Sequence, residues 1–139
     1  MFDAGGVNWL AVLVSGVASF ALGGLWYAVL FTKPWMAYSG VTAEAAGAGG
    51  PAKMAASYGV AFLTYLVAVI ALALFMEAAD ASGAVTGLVY GLVAGVGIVA
   101  TVSFNNYMFS MRPIQLYAID IGYPVVALAL SGVILGVWQ

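Results

Sequence analysis

Four apolar runs recur along this chain, each long enough to cross a hydrocarbon layer of about 30 Å at about 1.5 Å per helical residue. No other feature constrains the fold as strongly, because a backbone immersed in lipid must satisfy its own hydrogen bonds. Spanning segments are then helices or a closed barrel, and four segments without two-residue alternation cannot close a barrel. The sequence therefore predicts an all-α fold: an integral membrane bundle of four transmembrane helices, one domain over 1–139. Composition agrees, with 6% charged and 65% hydrophobic residues, where soluble domains carry about a quarter of their residues as charges.

The predicted spans run about 7–31, 54–76, 85–110 and 114–138. No positive n-region precedes the first, and it is longer than a signal-peptide core, so it is expected to be retained, with the mature chain starting near Met1. The first connector is rich in Gly and carries Pro51, which predicts a flexible interfacial loop. The second is short and acidic, with Glu77 and Asp80. Met111-Arg112-Pro113 forms the third and forces the last two spans into a tight antiparallel hairpin.

Charge placement supplies an orientation. Lys33 and Lys53 flank the first connector and Arg112 sits in the third, so all three basic residues share one face of an even-numbered bundle. The positive-inside rule makes that face cytoplasmic and puts both termini, with Glu77 and Asp80, on the non-cytoplasmic side. Trp9 and Trp138 are then expected at the outer interface and Trp35 at the inner one.

The inventory also excludes chemistry. With no Cys and no His, the chain lacks thiolate or imidazole metal sites, His-ligated haem and a His general base, and no metal site is expected. Three basic residues leave no patch for nucleic acid.

Small residues dominate helix association in lipid. Gly83, Gly87, Gly91 and Gly95 recur every four residues, with Ser103 further along the same stripe. Ser15, Ser19 and Gly23 repeat the pattern in the first span, and Gly132 and Gly136 lie in the fourth. The tightest contact is expected where the stripes of the third and fourth spans meet. Three uses compete: packing within one bundle, a seam between two copies, or a groove seating a lipid, quinone or carotenoid. No cofactor is demanded by the residues.

Asp120 is the one ionisable residue well inside a span, about 10 Å below the basic face. Counting inward from the basic residues brings Tyr27, Tyr58, Asn105 and Asn106 to nearly the same depth, a polar layer fed by all four helices. Pro124 removes the helical hydrogen bond to the Asp120 carbonyl, which predicts a kink over residues 120–124. Carbonyl and carboxyl both need partners, and the two Asn amides and the Tyr hydroxyls are the expected donors. An acid at such depth is costly, and is usually paired and often functional. Asp120 either pins the fourth helix to the third, neutral or paired with Asn106 or Arg112, or forms a proton or cation site in a cytoplasm-facing cavity.

Asn8-Trp9, Gly24-Leu25-Trp26-Tyr27 and Phe31-Thr32-Lys33-Pro34-Trp35-Met36 resemble the opening of a bacterial membrane family catalogued as domain of unknown function 1761. The closing stretch, Ile119-Asp120-Ile121-Gly122-Tyr123 with Gly132 and Leu135-Gly136-Val137-Trp138, is similar to that family's C-terminal pattern. The resemblance implies a small four-span protein of the bacterial inner membrane and brings no activity or catalytic residue with it.

The expected function is non-catalytic: an accessory or assembly subunit that packs in the lipid bilayer against other integral membrane subunits or against itself. The alternative is a small oligomeric proton-coupled transporter or channel with Asp120 as its coupling acid. An enzyme is not expected, since no nucleophile and base spacing is recognisable.

Overall fold

A computed structural model describes residues 4–138; the expected retained start at Met1 lies outside them. It is all-helical among these residues, with four helices long and apolar enough to cross a membrane. The spans are α1 (Trp9–Leu30), α3 (Gly50–Ala78), α4 (Ala84–Phe109) and α5 (Ile114–Val137), and a short α2 (Thr32–Ser39) follows the first of them.

Capping chemistry explains the boundaries. Asn8 caps α1, its side-chain oxygen accepting from the Ala11 N–H, while its amide donates to the Trp138 carbonyl at 2.7 Å. That bond joins the two ends of the chain at one end of the bundle. Pro51 stands in the first turn of α3, where its missing N–H costs nothing. At the other end of α3, Asp80 adopts a left-handed conformation with φ 54. Its N–H reaches the Glu77 carbonyl, and that of Ala81 reaches the Met76 carbonyl at 2.8 Å. Met111 repeats the arrangement at φ 58 with bonds from Met111 to Met108 and from Arg112 to Tyr107. Both hairpins thus end in the Schellman motif, each with a residue other than Gly at the left-handed position.

The first connector is more ordered than its composition predicts. Residues 32–39 form α2, which tolerates Pro34 in its first turn and stops at Gly40 in a left-handed conformation with φ 77. A single turn at Ala43–Ala46 follows, its start capped by Thr42. Helical propensity and two caps outweigh the Gly content.

Two spans contain π-helical turns. The first closes over Trp26–Leu30, where the Phe31 N–H bonds the Trp26 carbonyl, and Thr32 Oγ1 donates to the Tyr27 carbonyl at 2.6 Å. The second runs over Val93–Ala100; Thr101 Oγ1 donates to the Gly97 carbonyl and the Tyr117 hydroxyl to that of Ala100. Wider turns re-phase the side chains that follow them and are frequent at functional sites.

The fourth span is the axis of the bundle. Half of its apolar window is buried, against 22% for α3 and 17% for α4. Gly stripes let α4 and α5 meet backbone to backbone. A Cβ on Gly87 would overlap the Gly132 carbonyl oxygen, one on Gly91 the Leu128 carbonyl, and one on Gly136 the Gly83 carbonyl. Gly95 faces Val125. Gly83 departs from the predicted stripe: it is the N-cap of α4, with φ 95, and its N–H donates to the Gly136 carbonyl at 2.8 Å. Across the bundle, Ser19 and Ser131 share a buried hydrogen bond of 3.1 Å.

Packing is uneven along the bundle. Val7, Ala11, Val12, Val69, Leu72, Met76, Leu128 and Leu135 form the core near the termini. Toward the basic end, residues 51–61 of α3 are exposed on every side. A cleft opens there.

Candidate functional site

Asp120 stands six residues into α5 at the open end. Its Oδ1 accepts from the Tyr27 hydroxyl and from Trp35 Nε1, both at 2.9 Å. The other oxygen, Oδ2, accepts a hydrogen bond from the Tyr107 hydroxyl. One carboxylate thereby ties α1, α2 and α4 to α5. Each of the three partners has an N–H or O–H to give it. Among the described residues it has no cationic partner; the Arg112 guanidinium lies over the Tyr107 ring instead, 5.1 Å from its centroid.

The backbone beside the carboxylate is held as closely. Trp26 Nε1 donates to the Ile119 carbonyl at 2.9 Å, and its ring lies against Gly122, where a Cβ would come within 2.7 Å of Trp26 Cζ2. Tyr123 crosses to α1 and donates to the Ser19 carbonyl at 2.6 Å, over a bare strip at Gly23. Pro124 lies inside a helix that runs unbroken from Ile114 to Val137. The break in its hydrogen-bond ladder falls where Trp26 and Tyr123 clamp the chain.

Asp120 also lines the cleft, a space of about 720 Å³ with Tyr27, Trp35, Met36, Met54 and Tyr58 on its walls. A second space of about 450 Å³ lies between Phe20, Ala61, Tyr65 and Tyr123 and shares Tyr27, Ala28 and Tyr58 with the first. Tyr27 stacks edge to face with both Trp35 and Tyr123, at 5.8 and 5.7 Å between ring centroids. The site is an aromatic cleft with one carboxyl group in its wall.

The predicted polar layer is brought together only in part. Tyr27 meets Asp120. Tyr58 faces the cleft, 55% exposed, with its ring on Phe20 and no bond to the carboxylate. Asn105 and Asn106 are exposed and make no hydrogen bond to Asp120, which corrects their expected role as donors. Arg112, the other expected partner, is likewise elsewhere. Their places are taken by Tyr107 and Trp35. Tyr107 was legible in principle, because the four-residue stripe through Gly95 and Ser103 continues onto it. Trp35 reads from sequence as an interfacial anchor, and only α2 turns it inward. The stripe residues Gly87, Gly91, Gly95, Gly132 and Gly136 meet one another or the α5 backbone and leave no groove between α4 and α5. The larger space is walled by α1, α2, the first connector, α3 and Asp120, and the smaller by α1, α3 and Tyr123.

No curated protein and no solved structure matches the chain. A family model described as protein of unknown function, DUF1761, matches residues 10–136. That match runs from the second residue of α1 to the last turn of α5 and takes in every residue around Asp120, so the chain belongs to the DUF1761 family.

Proposed function

We propose that this is a non-catalytic protein of the bacterial inner membrane that acts as an accessory or assembly subunit, binding other membrane components in the plane of the bilayer. Lys33, Lys53 and Arg112 orient it with the open end cytoplasmic and both termini outside. The observation that carries the reading is the state of its one intramembrane acid. Three donors from three elements occupy the Asp120 carboxylate, so the strongest polar group in the bundle is committed to holding helices together. What the molecule offers is surface. Residues 51–61 of α3 are exposed, and Val60, Leu63 and Val67 form an exposed apolar face along that span.

Purification from native membranes in mild detergent tests this. The proposal expects larger membrane subunits to co-purify at a fixed ratio, and the ratio to fall when Val60 and Val67 are changed to Trp. A chain that runs alone under those conditions contradicts it. Transport is the second reading, favoured because Asp120 lines a cleft rather than a sealed interior. Proton-coupled flux in liposomes that is lost in Asp120→Asn would support that reading over the first.

A further inference from the structure

The accessory role leaves the chamber beside Asp120 unused. Its volume, about 720 Å³ with a further 450 Å³ behind Tyr27 and Tyr58, falls in the range of sites that enclose small molecules, roughly 300–1,000 Å³. Its walls are apolar and aromatic. Its one strong charge is Asp120, which has no cationic partner among the described residues and is only half-buried. A carboxylate offers about four acceptor positions, and the three donors leave one on Oδ2. Aromatic faces around an anion are the chemistry that recognises an organic cation, through the ring quadrupoles and the charge together. In a low-dielectric setting that attraction is far less screened than in water.

We propose that this chamber binds a hydrophobic organic cation, its ammonium or phosphonium centre against Asp120, Tyr27 and Trp35 and its apolar body between Phe20, Ala61 and Tyr65. The inference goes beyond the accessory role and stands or falls separately from it. Lys53, which borders a smaller pocket toward the cytoplasmic rim, disfavours entry of a cation from that side, so the ligand enters sideways from the bilayer between α1 and α3. An anionic amphiphile with its headgroup on Lys53 is the competing occupant.

Two nearly isosteric probes of opposite charge separate these cases. Tetraphenylphosphonium and tetraphenylborate are titrated into the purified full chain in detergent, with tryptophan fluorescence and calorimetry as readouts. The proposal expects the cation to bind saturably and the anion at least about tenfold more weakly, one decade being the scale of a single desolvated charge contact. Asp120→Asn should cut cation affinity by about tenfold or more and leave the anion unaffected. Should that variant fail to fold, Ala28→Trp decides, because Ala28 is exposed, lines both spaces and makes no side-chain hydrogen bond; it should abolish cation binding with thermal stability retained. Absence of cation binding, equal affinity for the two probes, tighter binding of the borate, or cation binding unchanged in the variants would each overturn the proposal.

Discussion

Gly87 and Gly132 face each other across α4 and α5 so closely that a Cβ on either would overlap the other's carbonyl oxygen. Without a hydrophobic drive between helices in lipid, this approach is where dispersion contacts accumulate. Gly87→Val should therefore lower stability by about 3 kcal/mol, the upper end of overpacking costs. Gly97, on the same helix, meets only Val93 at 3.9 Å, and Gly97→Ala should be neutral or stabilising by up to about 1 kcal/mol. Thermal unfolding of both variants in one detergent checks the pair.

The carboxylate at the open end makes an ordered prediction. Asp120→Ala strips three donors of their acceptor and should cost about 3 kcal/mol or more, whereas Asp120→Asn keeps one acceptor oxygen and should cost about half as much. Tyr107→Phe and Trp35→Phe each remove one donor and should each cost about 1–2 kcal/mol. Equal melting temperatures for the Ala and Asn variants would contradict the role assigned to the carboxylate.

Both hairpins carry a left-handed residue that is not Gly, Asp80 at φ 54 and Met111 at φ 58. Since that conformation costs roughly 1–2 kcal/mol for an L-residue with a side chain, Met111→Gly should raise stability by about 1 kcal/mol. The measurement is a shift in unfolding temperature, and a lower temperature for Met111→Gly would contradict it.

Tyr123 and Ser19 link the first and fourth spans in the interior. Interhelical hydrogen bonds in membranes average about 0.6 kcal/mol, so Tyr123→Phe and Ser131→Ala should each destabilise by about that amount. Losses of several kcal/mol from either would mean that the serine and tyrosine network, rather than the glycine contact, holds the bundle.

The architecture was readable from sequence because the physics of lipid leaves few choices: long apolar runs must be helices, and Gly repeats at four-residue spacing must pack. The third and fourth spans therefore met as their Gly residues predicted, although Gly83 proved to be a cap. Facing was readable only in part. Asn105 and Asn106, expected as donors, are exposed, whereas Tyr107, next on the stripe through Gly95 and Ser103, bonds Asp120. Trp35 was hidden for a different reason: a Gly-rich connector gave no sign of the short helix that aims its indole at the carboxylate.

The proposed function rests on a chain that crosses the bilayer four times, and its proposed orientation puts the basic turns and open cleft on the cytoplasmic side. The chain has no native cysteine, so single substitutions report without background. Ser82→Cys, in the acidic turn, and Ser110→Cys, in the basic one, are exposed to a membrane-impermeant maleimide in intact spheroplasts and again after lysis. The account predicts labelling of the first in intact cells and of the second only after lysis. Labelling of the second alone in intact cells would reverse the orientation, and equal labelling of both would contradict the four-span topology itself or its single orientation.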